Sequence, residues 1–398
     1  MSSSKLKILV VGGGFGGLKT ALELSGDSRC EVTLLSDHSH FRYYPALYNA
    51  ATGGKMAGSR IRLKNFLGDA NIKFVRAAAK KLDRQNKQIV TEGGQKLSYD
   101  KLVLALGSVT NYFGIKGLRE HSFGIKSAEE VMRLREQLHG QFIENGCPDL
   151  NYVIVGGGPT GIELAGALPD YLKEVMQKHG VKDCKLSIKL VEAAPRLLPR
   201  SPKTISSAVL KRLKTLGVDV LLGHAVEGQT SDRLMVGGKP LMSHTVIWTA
   251  GVANHPFFAH NSFRLADKGK VEVDDYLQAE QDIFVIGDNA DTPYSGMAQT
   301  ALHDGEFVAK TIKRQASEAM PEAYTPKKPI TVIPVGPHWA AVEWGSRAFT
   351  GFTGWILRIL ADFVAFNDLT SVLRAGKQWL VTIGDEEMNC PNCMPRKK

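Results

Sequence analysis

Two stretches of this chain carry the same pattern, and that duplication limits the fold more than any other feature. Lys7 to Val11 is an apolar strand that runs into Gly12-Gly13-Gly14-Phe15-Gly16-Gly17, and Leu18 to Leu24 then continues at helical spacing. Tyr152 to Val155, Gly156-Gly157-Gly158-Pro159-Thr160-Gly161 and Ile162 to Leu168 repeat that order of strand, turn and helix. A further strand follows each copy, Glu31 to Leu35 and Leu186 to Val191, and completes the start of a βαβ unit. In such a turn the first glycine permits the tight bend, the second lets backbone approach a pyrophosphate, and the third lets helix pack on strand. The helix N-terminus faces the phosphates. One glycine turn of this kind also arises for purely structural reasons, whereas two in the right context point to two dinucleotides. Gly12, Gly14 and Gly17 form one candidate set, and Gly156, Gly158 and Gly161 the other.

The chain has 398 residues, room for two or three domains. Its 43% hydrophobic and 23% charged residues exclude disorder as the main state. Lys101 to Gly107 and Val246 to Gly251 look like equivalent apolar strands of the two folds, and Ile283 to Ile286 is a third buried strand before Gly287-Asp288. Asp288 would place a carboxylate at the carboxyl edge of a parallel sheet, beside a ribityl or ribose hydroxyl. Alone, it reads equally well as a helix cap. Its position after the second fold suggests that the chain returns to the first, which is then discontinuous and holds a flavin. A segment rich in Pro, Lys and Glu, Ala316 to Pro329, reads as a linker. Beyond it come a strand-like run from Ile330 to Ala341 with a turn at Pro334 to Pro337, and two amphipathic stretches, Gly354 to Phe366 and Asp368 to Ile383.

The order of these motifs, with Pro45 to Gly53, Ala105-Leu106-Gly107, Val191-Glu192-Ala193-Ala194-Pro195-Arg196 and Ile286-Gly287-Asp288, closely resembles the type II NADH dehydrogenases. These are flavoproteins with two dinucleotide-binding domains, and the resemblance is specific from Lys5 to Lys313. It implies an α/β fold with two Rossmann-like domains, arranged as in glutathione reductase, plus a C-terminal amphipathic segment for membrane association. The expected division is 1–115 and 265–325 for FAD, 116–264 for NADH and 326–398 for the membrane segment. The implied activity is NADH:quinone oxidoreduction through noncovalent FAD, without proton pumping, by a homodimer on the cytoplasmic side of the cell membrane.

Carried over residue by residue, the resemblance puts Gly12, Gly14, Gly17, Thr52 and Asp288 at the flavin. The acidic residue that usually ends the second strand falls at Ser36, which leaves its neighbour Asp37 as the candidate for the adenosine ribose. NADH would take Gly156, Gly158, Gly161, Glu163 and Glu192. A strand-end glutamate accepts from a ribose diol and repels a 2′-phosphate, which favours NADH over NADPH, although Arg196 blurs that preference. Glu163 would position the nicotinamide for hydride transfer; its plainer role is a carboxylate favoured by the helix dipole. Ala298 and Gln299 would stand at the quinone, with Glu163 and Gln299 the catalytic candidates. A second glutamine of the family's pattern is replaced by His303, either a proton donor to the quinone or a helix-packed side chain.

Five cysteines, few and odd in number, fit a reducing compartment better than a disulfide framework. No Cys-x4-Cys follows the first glycine turn, so the redox disulfide of glutathione-reductase relatives is missing, and Cys147 and Cys184 lack the placement of a sulfide:quinone oxidoreductase relay. Cys390 and Cys393 form a lone Cys-Pro-Asn-Cys with no partner pair at zinc spacing, so no metal is expected. No apolar run reaches the ~18 to 20 residues of a membrane span, because Arg358 and Asp362 interrupt the best candidate. Trp355, Ile356, Ile359, Leu360, Phe363 and Val364 can instead form one apolar face with Arg358 and Asp362 opposite, as an interfacial helix requires. The net charge of +10 suits dinucleotide phosphates and an anionic membrane surface, and no nucleic-acid module is present. A soluble reductase for a small redox protein and an NAD-sensing flavoprotein are the alternatives.

Overall fold

A computed structural model describes residues 5–383 apart from 69, 146 and 183, so Cys390 and Cys393 lie outside the described residues. Four-residue apolar runs become central strands because both of their faces are covered. In Leu6–Val11 (β1), Ile8 and Val10 point into one core and Leu9 and Val11 into another, following the period of two that alternates side chains across a strand. Cys30–Ser36 (β2), Ile72–Arg76 (β3) and Lys101–Leu104 (β4) run parallel with it. Tyr152–Val155 (β5) divides its side chains between two cores in the same way. It lies between Ile188–Glu192 (β6) and Thr245–Trp248 (β8), with Val218–Leu222 (β7) beyond β6. The chain then returns to the first sheet with Gln278–Glu280 (β9) and Ile283–Val285 (β10), giving the order β9-β10-β4-β1-β2-β3.

Each glycine turn opens a helix, Phe15–Ser25 (α1) after β1 and Pro159–Lys178 (α4) after β5. Between them are Leu47–Ala51 (α2) and Ala128–Asn145 (α3). Helix α3 starts on a capping box, in which Glu130 N–H donates to Ser127 Oγ at 3.1 Å while Glu130 Oε2 accepts from Ser127 N–H at 3.2 Å. Helix α2 belongs by sequence to the first half of the chain, yet Leu47, Ala50 and Ala51 are buried in the core around α4. Ala298–Gln315 (α5) crosses α1 so closely that a Cβ on Gly305 would stand 2.5 Å from the carbonyl oxygen of Gly16.

The C-terminal part is not only helical. Thr331–Pro334 (β11), Ala340–Trp344 (β12) and Arg347–Gly351 (β13) form an antiparallel sheet, of which the short, mostly exposed β13 has a single large apolar residue, Phe349, and so no alternation to read. Ile333, Val335 and Ala341 join the core around α4, and a Cβ on Gly166 would come within 2.6 Å of Gly336 N. Phe352–Asn367 (α6) and Val372–Ile383 (α7) follow. No helix among the described residues is long and apolar enough to cross a membrane.

The α1–α5 contact is expected to be intolerant of even one methyl group. Gly305→Ala should destabilise the protein by about 1 to 3 kcal/mol, seen as a lowered thermal midpoint of the intact chain. An unchanged midpoint would show that the two helices can part without cost.

Candidate active site

The three glycines of each turn occupy three different environments. Gly12 and Gly156 have φ of +115° and +118°, in the left-handed half of backbone space that a side chain resists. A Cβ on Gly17 would lie 2.0 Å from Gly12 O, and one on Gly161 would lie 2.0 Å from Gly156 O, so helix and strand touch there through backbone alone. A Cβ on Gly14 or Gly158 would meet nothing within 4 Å. Both are N-caps in extended conformation, and their helices point unsatisfied N–H groups past them. The first turn lines a cleft of about 480 Å3 that also takes in Asp288, Lys126, Glu163, Gln299 and Arg358.

Asp288 sits in a 3-10 turn after β10, and its Oδ2 accepts from Ser108 Oγ at 2.8 Å. Lys126 Nζ donates to the same hydroxyl at 3.3 Å; burial lowers its pKa, while the Asp288 carboxylate opposes that shift. The turn is held from behind by buried Asp304, which accepts from Gly287 N–H at 2.9 Å and Tyr324 O–H at 2.5 Å.

The strand-end residues differ between the two folds. Ser36 is buried against Gly13, and a Cβ there would lie 2.9 Å from Ser36 Oγ, whereas the exposed Asp37 lines the cleft and pairs with His38 Nε2 at 3.1 Å. Glu192 accepts from Gly157 N–H at 2.5 Å and Ala194 N–H at 2.7 Å, which uses only part of a carboxylate's capacity to accept. Arg196 is turned to the backbone carbonyls of Leu198, Pro199 and Ser201, so its guanidinium is already engaged.

Glu163, one helical turn into α4, faces the cleft. Burial pushes its carboxyl up to about 8, against the pull of Arg358. Arg358 and Asp362, read as lying opposite the apolar face of their helix, are turned inward: they form an ion pair, and Tyr43 O–H donates to the same Asp362 carboxylate. The apolar residues Ile356, Leu360 and Val364 are the exposed ones. At the cleft's other wall, Gln299 donates to Ile330 O at 3.2 Å and accepts from Ile330 N–H at 2.9 Å, with Ala298 beside it.

Gly17, Gly156, Gly158, Gly161 and Glu192 do not line this cleft, and neither do Thr52 and His303. Thr52 is buried behind α2 and its hydroxyl donates to Tyr48 O at 3.0 Å, because α2 is taken up in packing against α3 and α4. His303 lies one turn beyond Gln299 and its Nε2 bonds Thr325 O at 2.9 Å, so the imidazole pins the 316–329 linker; the helix-packed reading is the one the geometry favours.

These features correspond to a known family. A family model described as pyridine nucleotide-disulphide oxidoreductase matches residues 6–318. A type II NADH:quinone oxidoreductase of Staphylococcus epidermidis is 31% identical over 338 residues, 79% of this chain and 83% of the relative. The Staphylococcus aureus protein of that name is 29% identical over 362 residues, 85% of this chain and 89% of its own. The chain belongs to the type II NADH:quinone oxidoreductase family. Among solved structures, NDH2 from Plasmodium falciparum in complex with NADH matches with a TM-score of 0.84 at 17% identity, covering 97% of this chain and 100% of that one. The sulfide:quinone oxidoreductase from Aquifex aeolicus matches with a TM-score of 0.76 at 20% identity, covering 96% and 92%. Both show a shared fold. Despite the "disulphide" in the broader family's description, no cysteine among the described residues of this type II enzyme lines the cleft.

Sequence reasoning did not single out Lys126, Tyr43 or the inward role of Arg358 and Asp362. For Lys126 a signal existed, since the Ser127-x-x-Glu130 capping box fixes the residue before it. The glycine environments separate two kinds of damage. Gly17→Ala should lower the thermal midpoint sharply, whereas Gly14→Ala should keep the fold and lose bound flavin, measured as the flavin-to-protein absorbance ratio after gel filtration. Equal flavin retention in Gly14→Ala and the native chain would remove Gly14 from the cofactor site.

Proposed function

We propose that this protein is a non-proton-pumping NADH:quinone oxidoreductase that works through noncovalent FAD. The observation that carries the reading is one continuous cleft, lined by the first glycine turn and Asp288, by Glu163 of the second fold, and by Ala298, Gln299 and Arg358 beside an exposed apolar helix. The residues fit the cofactors: Gly14 and Gly158 leave open the space that a pyrophosphate needs, and Asp288 and Glu192 are carboxylates at strand ends where ribityl or ribose hydroxyls sit. When bound, the flavin accepts a hydride from NADH and passes two electrons to a quinone that also takes up two protons.

The chain's own residues supply position and charge. Gly12, Gly14, Gly17, Asp37 and Asp288 are assigned to FAD, with residues 1–115 and 265–325 as the flavin unit. Gly156, Gly158, Gly161 and Glu192 are assigned to NADH, within 116–264. Glu192 repels a 2′-phosphate, and the engaged guanidinium of Arg196 offers it no compensation. Glu163 is placed at the nicotinamide, where a neutral carboxyl can donate as well as accept a hydrogen bond. Ala298 and Gln299 are assigned to the quinone end, with the clamped Gln299 amide fixing the wall.

Residues 326–398 are assigned to membrane association, on the cytoplasmic side where NADH is present. Helices α6 and α7 expose Ile356, Leu360, Val364, Val372, Leu373 and Leu380, and α7 also exposes Arg374 and Lys377. Such a face suits a helix lying in the interface of an anionic leaflet. Homodimer formation is proposed on the family resemblance alone.

Two measurements test this function. The purified protein should show a flavin spectrum that NADH bleaches and a short-chain quinone restores; bleaching without reoxidation by quinone would favour a soluble reductase for another acceptor. The double variant Leu360→Glu, Leu373→Glu should bind anionic lipid vesicles at least tenfold more weakly while keeping turnover with a soluble quinone. Undiminished vesicle binding would move the membrane contact elsewhere.

A further inference from the structure

Helix α6 turns a carboxylate and a guanidinium into the protein interior, one helical turn apart. The Arg358 and Asp362 side chains are 13% and 6% exposed, and Tyr43, from the segment before α2, is 1% exposed. Both oxygens of Asp362 are engaged, Oδ1 by Tyr43 O–H and Oδ2 by Arg358. A second guanidinium nitrogen donates to Pro45 O at 3.5 Å, and the Tyr43 ring packs on Phe366, one turn beyond Asp362, at 4.5 Å between centroids. Burial pushes the Tyr43 hydroxyl up to about 12, so it remains the donor.

Stability does not account for this arrangement. Removing two charges from water costs as much as their attraction returns, and well-packed apolar residues hold a helix down equally well. The pair instead determines what Arg358 can do. Among the described residues, the titratable groups that act on Glu163 are Tyr43, Tyr48, which is hydrogen-bonded to Arg358, and Arg358 of α6, the cation of the three. A free guanidinium at that place would draw Glu163 into an ion pair and convert it to an acceptor only.

We propose that Asp362, fixed by Tyr43, is a positioning residue that takes up the charge of Arg358 and holds it on Pro45, so that Arg358 does not pair with Glu163 across the cleft. This rests on the placement of Glu163 at the nicotinamide. It assigns to the membrane-side helix the task of setting the charge state of the hydride-transfer site. The burial that raises Glu163 then prevails, and the carboxyl keeps its proton at neutral pH.

The test uses the flavin-loaded full chain with NADH and a short-chain quinone, and follows kcat/KM for NADH from about pH 5.5 to 9.5. The native protein should lose activity through a limb near 8 that is absent in Glu163→Gln. In Asp362→Asn the limb should move down by about one unit or more, as an uncompensated cation acts on a carboxyl. Asp362→Glu should restore it, and Tyr43→Phe, which keeps every charge, should shift it in the same direction by less. The protonated-carboxyl infrared band that disappears in Glu163→Gln should be present at neutral pH in the native protein and weakened by about half or more in Asp362→Asn. A limb that survives in Glu163→Gln overturns the placement of Glu163 and this proposal with it. A limb that depends on Glu163 but stays in place in Asp362→Asn overturns the proposal alone. Should Asp362→Asn not fold, an unmoved limb in Tyr43→Phe does the same.

Discussion

The architecture depends on two contacts that only a missing side chain allows. At Gly17 and Gly161 the helix comes so near its strand that a Cβ would stand 2.0 Å from a carbonyl oxygen, inside any real contact distance. That approach lets each helix start immediately after its strand, with its first N–H groups aimed over an N-cap glycine toward the cleft. Glycine also appears where elements from distant parts of the chain cross, at Gly305 on Gly16 and at Gly166 on Gly336. The second of these joins the C-terminal sheet to the helix that carries Glu163. Helix α6 continues from that sheet, so the position of Arg358 is tied to the position of Glu163 through backbone packing.

The sequence was most legible where one local rule decides the structure. Strand, glycine turn and helix could be read twice because both faces of β1 and β5 are buried, which leaves an uninterrupted apolar run before an obligatory bend. It was least legible where tertiary contacts reassign a side chain. Thr52 follows a helix that is absorbed by the neighbouring core, and its hydroxyl turns to Tyr48 O. His303 sits at the right spacing from Gln299 to face the cleft, but the linker passes over it and takes its Nε2 through Thr325 O. The spacing of apolar residues on α6 grouped Phe363 with the exposed Ile356, Leu360 and Val364, although Phe363 packs against the core. An apolar stripe marks the inward side of a helix only when water lies on the other side, and a lipid surface removes that condition.

That orientation joins an exposed apolar surface to the wall of the cleft. Leaving six large aliphatic side chains in water forgoes on the order of 10 kcal/mol of burial, at roughly 1.5 to 3 kcal/mol each. A monomeric protein rarely keeps so large an apolar patch without something to cover it. Rotating α6 would hide the patch but would expose Tyr43, break its bond to Asp362 and remove Arg358 from the cleft. The helix therefore meets two demands with two faces, an exposed apolar one and a polar one that lines the cleft.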